Sequence, residues 1–295
     1  MQSKQLKLIH VAILLGLFVF AFSTYSIASQ KDGLLKIYFL DVGQGDAMFM
    51  ETPAGSQILI DGGPDRSVIR ELGEVMPFYD RSVDMVISTH PDSDHVAGLI
   101  EILKRYEVSK ILETGMKCDT PYCKAWDDFK NKENAEIFSA SLGDTIFTED
   151  GLKIEILSPF ESIDGKEFSK RNNEGLVFKV SYGDQSILFA ADIESPIEKK
   201  LVLSKTSLDS DFLKIAHHGS KTSSTEEFLR AVSPITAFIE VGRDNSYGHP
   251  SNEVTSRLEN FSIPYYRTDI DGRIKLTLDG SNYKILRSSP NPLSR

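Results

Sequence analysis

The sequence predicts a single α/β domain in which two mixed β-sheets are covered by helices on their outer faces. Short apolar runs rich in β-branched and aromatic residues recur from Leu34 onward. Each run ends in Gly, Asp, His or Pro, as strands bounded by turns do. Helical segments lie between these runs. No fixed repeat, low-complexity tract or Pro/Gly-rich linker divides this part of the chain, so one domain accounts for the whole pattern.

The individual elements follow from local periodicity. The predicted strands are Leu35–Val42, Gln57–Ile60, Met85–Ser88, Leu152–Leu157, Leu176–Val180, Ser186–Phe189, Phe212–Ala216, Thr236–Val241 and Ile274–Leu278. A helix is predicted around Val96, Leu99, Ile100 and Leu103, because their spacing of i, i+3, i+4 and i+7 places them on one face. The segments Glu194–Leu203 and Ser224–Val232 are also predicted to be helical.

The composition is that of an acidic globular protein. The 295 residues include 33 Lys and Arg and 43 Asp and Glu, which gives a formal net charge of −10 at pH 7. The content of 26% charged and 40% hydrophobic residues argues against a mainly disordered chain. Net acidity also argues against a tight, non-specific nucleic-acid coat, because phosphate contacts need an excess of Lys and Arg. Local positive residues remain candidates to line a groove: Lys166, Lys170, Arg171, Lys214 and Lys221.

The N-terminus resembles a secretory signal. Lys4 and Lys7 precede an apolar run that only His10 interrupts, and Ser26-Ile27-Ala28 places small residues where a signal peptidase cuts. The apolar run is shorter than the roughly 20 residues of a membrane-spanning helix. We therefore predict a signal peptide over residues 1–28 and a periplasmic or secreted mature protein. An uncleaved N-terminal anchor is the alternative, and only in that case is a membrane a partner.

Export bears on the two cysteines. Cys118 and Cys123 lie in a turn-rich stretch, and an oxidising compartment favours a local disulfide between them over two free thiols. A zinc knuckle would need two more ligands nearby, and the surrounding sequence supplies none.

All His residues of the mature chain, together with several Asp residues, lie where predicted strands end. Five loops carry them: Asp61-Gly-Gly, the segment from His90 to His95, Asp192, His217-His218 and the loop with Tyr247 and His249. Functional sites of α/β sheets gather at the carboxyl ends of strands. We therefore expect these loops to converge on one site.

The strongest chemical signal is the segment His90-Pro-Asp92-Ser-Asp94-His95. It offers four candidate metal ligands within six residues, because both imidazole and carboxylate groups bind divalent metals. The competing interpretation is a solvated acidic turn that caps a helix. The distant His and Asp residues at other strand ends favour the metal site.

Together these motifs resemble the metallo-β-lactamase fold superfamily, whose signature is His-x-His-x-Asp-His. They are closer to its ComEC/Rec2-like branch, the C-terminal hydrolase domain of ComEC competence proteins, in which Asp92 replaces the second His. The other matching blocks are Asp41-Val-Gly-Gln-Gly-Asp46, Asn172-Asn173, Asp192, Leu213-Lys-x-x-His217-His218-Gly-Ser220 and Tyr247-Gly-His249-Pro. The resemblance covers residues 34–280 and implies an α/β (α+β) four-layer αββα sandwich, followed by a C-terminal tail over 281–295.

The resemblance also implies one or two divalent metal ions, zinc or manganese. The ligands carried over are His90, Asp92, Asp94, His95, Asp192 and His217, with Asp192 matching a carboxylate that bridges two metals. The family usually adds another His before this bridging residue, but no His occurs from 96 to 216. The first metal position is therefore rich in oxygen, which suits Mn²⁺ or Mg²⁺ better than an all-nitrogen site does.

Several neighbouring residues are assigned supporting roles. Asp61 is expected to hydrogen-bond a metal-bound His or to cap its Gly-Gly turn. Asp41 and Asp46 are expected to organise the turn between them and the rim of the metal site. We favour His217 over His218 as the ligand, since adjacent residues on an extended segment point to opposite sides. The other residues expected near the metals or the substrate are Asn172, Asn173, His218 and Tyr247.

The predicted function is hydrolysis by a metal-activated water, with Asp94 orienting the water or accepting its proton. His249 would donate a proton or stabilise an oxyanion, unless it is simply a surface residue of its loop. The favoured substrate is a phosphoester, which makes the protein a phosphodiesterase or nuclease with single-stranded DNA as a candidate partner. The alternatives are hydrolysis of a lactone or β-lactam, and a non-catalytic binding module.

Overall fold

The structure of the protein is a computed structural model that describes residue 10 and residues 13–20, 32–204 and 206–289. The chain divides into two compact units, Met1–Gly33 and Leu34–Arg295. Within the first unit, residues 13–20 are helical. None of the helices formed by the described residues is long and apolar enough to span a membrane. The predicted signal cleavage near Ala28 lies outside the described residues.

The second unit contains all of the strands described below. In chain order they are β1 Leu35–Phe39, β2 Met48–Glu51, β3 Gln57–Ile60, β4 Ser82–Ile87, β5 Glu107–Glu113, β6 Glu136–Ser139, β7 Thr145–Phe147, β8 Lys153–Ser158, β9 Val177–Tyr182, β10 Gln185–Phe189, β11 Phe212–Lys214, β12 Thr236–Ile239, β13 Tyr265–Arg267, β14 Ile274–Leu278 and β15 Tyr283–Arg287. The helices are α1 Ser67–Val75, α2 Ser93–Leu103, α3 Pro121–Lys130, α4 Ser195–Leu203, α5 Glu226–Val232, α6 Asn252–Asn260 and α7 Thr268–Asp271. Short 3₁₀ turns occur at Arg171–Glu174 and Ala216–Gly219.

The strands form two mixed sheets. The first has the order β15-β14-β1-β2-β3-β4-β5-β6 and the second the order β13-β12-β11-β10-β9-β8-β7. Parallel pairing joins β3 to β4 in the first sheet, and β10 to β11 and β11 to β12 in the second. The loops that follow these parallel strands carry the predicted ligands, and the site described below is built from them.

The two sheets pack face to face over an apolar core. Phe39 stacks on Phe238 across this interface with ring centroids 4.2 Å apart, and Phe178 and Phe189 belong to the same cluster. A second cluster packs α1, α2 and α3 on the outer face of the first sheet. A third packs α4, α5 and α6 on the outer face of the second sheet. The predicted four-layer αββα architecture is therefore confirmed.

One end of the first sheet differs from the sequence expectation. Within the sheet, Gln57–Ile60 and Ile274–Leu278 are strands with the predicted bounds. The predicted C-terminal tail over 281–295 instead contributes β15, which pairs antiparallel with β14 and extends the first sheet past residue 280. Most β15 side chains are exposed, so the strand lacks the apolar alternation that would have revealed it.

Candidate metal centre

Three predicted ligands, Asp94, His95 and Asp192, meet His218 at one edge of the sandwich, and the four residues come from three loops. Asp94, His95, Asp192 and His218 each offer a carboxylate oxygen or imidazole nitrogen, and these atoms lie within 4.8 Å of one another. We call these four residues the metal cluster. His95, Asp192 and His218 are buried, whereas the Asp94 side chain is 35% exposed. Asp94 is therefore the member of the cluster that solvent reaches most easily.

Asp61 fixes the orientation of His95. The Asp61 carboxylate is fully buried and accepts hydrogen bonds from the backbone N–H of Thr89 at 2.8 Å and from its hydroxyl at 2.6 Å. The same carboxylate lies 2.8 Å from His95 Nδ1, so Nδ1 carries the proton that it donates. His95 Nε2 is left to face Asp192 Oδ2 at 3.4 Å. Asp61 thus holds the His95 ring in one orientation, and a carboxylate behind a His is the usual arrangement around protein-bound metals.

Backbone geometry allows Asp61 and His95 to approach each other. The Gly62 N–H donates to the His95 carbonyl at 2.8 Å, and the Gly98 N–H donates to the Gly63 carbonyl at 3.0 Å. A Cβ on Gly62 or Gly98 would collide with the backbone of the other segment. These glycines let the loop after β3 lie directly on the first turns of α2, which places Asp61 beside His95.

His90 lies next to the metal cluster, with its ring centroid 4.0 Å from that of His95. Thr89 Oγ1 is 3.0 Å from His90 Nδ1, and burial lowers the pKa of the His90 ring. Asp92 is turned partly away: Arg171 Nε donates to its Oδ1 at 2.5 Å, while its Oδ2 lies 3.9 Å from His90 Nε2. The predicted first-metal pair is therefore adjacent, but Asp92 is shared with a guanidinium.

Asp192 stands at the centre of the site. It follows β10 through Ala191, whose φ of 46° turns the chain sharply. Its Oδ2 lies 3.4 Å from His95 Nε2, 3.6 Å from His218 Nε2 and 3.9 Å from His217 Nε2. Burial raises the pKa of Asp192, but the neighbouring imidazoles and Lys214 hold it well below its usual range. The carboxylate is therefore ionised, which is the state in which a carboxylate binds a metal.

The structure brings His218, and not the favoured His217, into the metal cluster. His218 belongs to the metal cluster, with its Nε2 3.3 Å from Asp94 Oδ2. His217 lies beside the cluster and is 23% exposed, and Asn172 Nδ2 is 3.3 Å from its Nε2. The prediction assumed an extended segment, but β11 ends at Lys214 and both His residues have left-handed backbone angles, with φ of 52° and 53°. The alternation rule for strands therefore does not apply to them.

His218 is positioned through its other ring nitrogen. Nδ1 donates to the Glu240 carbonyl at 2.9 Å, and the charged Asp46 Oδ1 lies 3.1 Å from the same nitrogen. Nδ1 therefore carries a proton, and Nε2 points toward Asp94 and Asp192. Although burial opposes it, the carboxylates of Asp192 and Asp46 raise the pKa of His218 to about 10.

The rim of the site holds His249 and Tyr247. The ring of His249 lies 5.7 Å from that of His217 and 6.4 Å from that of His218. Burial and the neighbouring imidazoles lower the pKa of His249 to about 4, so its ring is neutral at pH 7. Tyr247 stacks beside His249 at 5.7 Å and is 71% exposed.

Two other predicted residues lie apart from the metal cluster. Asn173 accepts from the Glu194 N–H at 3.1 Å and donates to its carboxylate at 3.2 Å, so it ties the 3₁₀ turn to the start of α4. The Asp41 carbonyl accepts a hydrogen bond from Arg70 at 3.4 Å. Both residues are buried. Their contacts are structural.

Three residues make contacts around the site that the sequence did not predict. Thr89 bridges Asp61 and His90, and the Glu240 side chain accepts from the Ala47 N–H at 3.0 Å. Lys214, one of the candidate groove residues, is fully buried and pairs with Asp46. It cannot line an open groove. A charged residue such as Lys214 is ordinarily predicted to lie on the surface. Its strand is too short for a side-chain pattern to reveal the buried partner.

The donor set fits a divalent metal. His90 Nε2, His95 Nε2 and Asp192 Oδ1 are buried and have no hydrogen-bond partner among the described residues. A buried polar atom without a partner costs about 1–3 kcal/mol, so three in one place call for a common ligand. Imidazole nitrogens and carboxylate oxygens are the donors that Zn²⁺ and Mn²⁺ accept. The metal cluster with His90 therefore supplies a chemically suitable site.

Comparisons with known proteins identify a matching family and several related sequences. The family model of the Metallo-beta-lactamase superfamily matches residues 40–239. ComE operon protein 3 of Bacillus subtilis is 30% identical over 81% of this chain and 32% of its own length. Recombination protein 2 of Haemophilus influenzae is 29% identical over 88% of this chain and 31% of its own length. The chain thus spans about a third of the length of these relatives.

Solved structures share the fold. Tm1679, a metal-dependent hydrolase of the beta-lactamase superfamily, aligns with a TM-score of 0.52 and 9% identity over 82% of this chain and 98% of that one. CmlA, a diiron beta-hydroxylase from Streptomyces venezuelae, aligns with a TM-score of 0.52 and 14% identity over 86% of this chain and 54% of that one. Identities this low indicate a shared architecture only.

Proposed function

Because the chain belongs to the metallo-β-lactamase superfamily and is related to competence proteins, we propose that it is a metal-dependent phosphodiesterase acting on DNA or another phosphoester. The observation that carries the hydrolase chemistry is the metal cluster, with its unpartnered buried donors. The phosphoester substrate is supported by the competence and recombination proteins among the relatives.

The residues of the metal cluster would hold one divalent ion. Asp192 and His90 would help to hold a second ion, if one binds. Such an ion supplies positive charge that polarises a phosphoryl oxygen and acidifies water. Asp92 offers a carboxylate oxygen 3.9 Å from His90 Nε2, and this pair is poorer in imidazole than Asp94, His95, Asp192 and His218. We infer that manganese suits the position at His90 at least as well as zinc.

The remaining chemistry falls to residues on the open side of the site. Asp94 is the most exposed carboxylate of the metal cluster and would orient the attacking water or take its proton. His249 is neutral at pH 7, which suits donation of a hydrogen bond to a developing phosphorane oxygen better than full proton transfer. Arg171 lies beside Asp92 with its side chain partly exposed, where a guanidinium can bind a phosphate oxygen.

The test is an assay of three substrates with Mn²⁺ or Zn²⁺ present: bis-p-nitrophenyl phosphate, a single-stranded oligonucleotide and nitrocefin. We expect cleavage of the first two and a loss of orders of magnitude in rate for His95→Ala. Cleavage of nitrocefin alone would favour a carbonyl substrate. Equal inertness of the wild type and His95→Ala on all three would contradict any hydrolytic function.

We further propose that the protein works outside the cytoplasm. The N-terminal segment has the features of a secretory signal, and Cys118 pairs with Cys123 as an oxidising compartment allows. N-terminal sequencing of the protein recovered from cell fractions tests this. We expect a mature chain in the exported fraction that begins just after Ala28. An intact N-terminus on an exported, membrane-bound protein would support the anchor, and recovery from the cytosol alone would contradict export.

A further inference from the structure

A fully buried lysine lies behind the metal cluster. Lys214 is the last residue of β11, and its side chain is 0% exposed. Its ammonium pairs with Asp46 Oδ2 and lies 3.5 Å from the Ala191 carbonyl. Burying an ammonium costs several kcal/mol unless it is well paired, so a lysine at such a position calls for an explanation beyond packing.

Its partner Asp46 connects this charge to a ligand. One oxygen of the Asp46 carboxylate takes the ammonium, while the other lies 3.1 Å from His218 Nδ1. The backbone of Asp46 is also fixed, because its N–H donates to the Asp94 carbonyl at 3.2 Å and its carbonyl accepts from Gly63 at 2.8 Å. The carboxylate therefore joins Lys214 and His218 from a rigid loop.

The His218 ring needs such support. His218 has left-handed backbone angles in a short 3₁₀ turn, after the strand has already ended. Sheet pairing therefore does not fix its side chain, and the contacts at Nδ1 do. Nδ1 donates its hydrogen bond to the Glu240 carbonyl, and the negative charge of Asp46 Oδ1, 3.1 Å away, attracts the same edge of the ring; this attraction would be lost if the carboxylate rotated away.

We propose that Lys214 is a positioning residue for the metal centre. Its ammonium anchors the Asp46 carboxylate so that His218 presents Nε2 toward Asp94 and Asp192. The inference rests on the proposed metal-dependent function but concerns the assembly of the site and not the substrate. The sequence motifs Asp41–Asp46 and Leu213–Ser220, which the fold brings together, would then serve the same purpose: each supplies a residue that orients His218.

A purely structural role for the ion pair is the alternative. In that case Lys214 only neutralises a buried carboxylate, and its loss lowers stability while metal binding by the folded protein is unchanged. Metal affinity and the state of the His218 ring separate the two roles, because neither reports global stability.

The test replaces Lys214 with an uncharged residue of similar length. For Lys214→Met we expect Zn²⁺ and Mn²⁺ affinities, measured by titration calorimetry, to fall about 10- to 100-fold, the usual effect of losing a residue that orients a ligand. In the Zn²⁺-loaded protein, the ¹⁵N resonances of His218 should shift. The matched control is Lys36→Met, because Lys36 pairs with Glu51 at 2.7 Å, is 16% exposed and lies on β1 away from the site. This control should bind both metals as the wild type does.

A double variant covers the case in which Lys214→Met fails to fold. Lys214→Met with Asp46→Asn removes both charges, which proteins tolerate better than loss of one partner. We expect this double variant to bind metal as weakly as Asp46→Asn alone, since Lys214 acts through Asp46. Wild-type affinity and an unshifted His218 spectrum in either folded Lys214 variant would overturn the proposal.

The outcomes also separate this inference from the proposed function. A wild type that binds metal but cleaves no phosphoester would contradict the function and leave the role of Lys214 to be decided by affinity. A wild type that cleaves phosphoesters, with a Lys214→Met variant of unchanged metal affinity, would overturn only the role of Lys214.

Discussion

Replacing Asp61 with Asn should weaken the metal centre while leaving the fold intact. The Asp61 backbone has φ of 54°, a left-handed conformation that Asn adopts as readily as Asp, so the change tests the carboxylate and not the turn. The carboxylate accepts three hydrogen bonds, two from Thr89 and one from His95 Nδ1. An Asn amide has one oxygen, and its NH₂ group would face a donor.

The size of the effect follows from these contacts. Residues that orient a metal-bound His typically contribute 10- to 100-fold to metal affinity, which corresponds to about 1.4 to 2.7 kcal/mol. One buried donor is also left without an acceptor, and we expect a loss of about 1–3 kcal/mol in the free energy of unfolding. The two effects can be measured separately, because metal affinity is determined on the folded protein and the free energy of unfolding is not.

Titration calorimetry with Zn²⁺ and urea-induced unfolding provide the two measurements. Asp65→Asn is the matched control, because Asp65 lies four residues further along the chain and its carboxylate accepts only an exposed hydrogen bond from the Ser67 N–H at 2.7 Å. We expect this control to leave metal affinity unchanged. If Asp61→Asn bound Zn²⁺ as tightly as the wild type, the reasoning that Asp61 orients His95 would be refuted.

Three further predictions concern His249, the disulfide and Asp192. The pKa of His249 lies at about 4 in the folded protein, below the ordinary value of 6.5, so the unfolded chain binds a proton more readily between these values. With chelator present, the free energy of unfolding should therefore fall as the pH drops from about 6.5 to about 4. We measure the free energy of unfolding in urea at pH 7 and at pH 4.5. Allowing for solvent screening, we expect the decrease between these pH values to be about 1 kcal/mol smaller in His249→Gln than in the wild type. An identical decrease in the variant and the wild type would contradict the assignment. The Cys118–Cys123 bond closes a short loop with a sequence separation of 5, so reducing it with dithiothreitol should lower the free energy of unfolding in urea by about 2 kcal/mol. The control is a Cys118→Ser/Cys123→Ser variant, which should not respond to dithiothreitol. An equal response of both proteins would refute the estimate. Asp192→Asn should reduce metal binding to below half of the wild-type stoichiometry by elemental analysis, because Asp192 lies at the centre of the cluster, and full occupancy would show that it is not a ligand.

The sequence predicted the parts of the fold whose signal is local. Strands buried on both faces, such as Gln57–Ile60, read as continuous apolar runs, and the helix that begins at Ser93 has a clear apolar face. The edge strands β6 and β15 were missed because most of their residues are exposed. An exposed edge strand is held by backbone pairing with its neighbour, and that pairing leaves little trace in side-chain pattern.

The candidate site could be predicted as a set of loops but not in its inner contacts. The metal cluster joins residues up to 124 positions apart, and the ordered motifs named three of its members as ligands and placed the fourth, His218, beside the metals. The choice between His217 and His218 depended on backbone angles that no side-chain pattern encodes. The burial of Lys214 depended on a partner in a distant loop, and a lone charged residue gives no sign of such a partner.

We propose that loops distant in sequence jointly hold a divalent cation. Anomalous diffraction at the zinc or manganese absorption edge, from crystals grown with that metal, would locate such an ion. We expect a strong peak bonded to Asp94, His95, Asp192 and His218, with any second peak at His90. The absence of an anomalous peak among these side chains in a saturated crystal would show that they do not hold the metal.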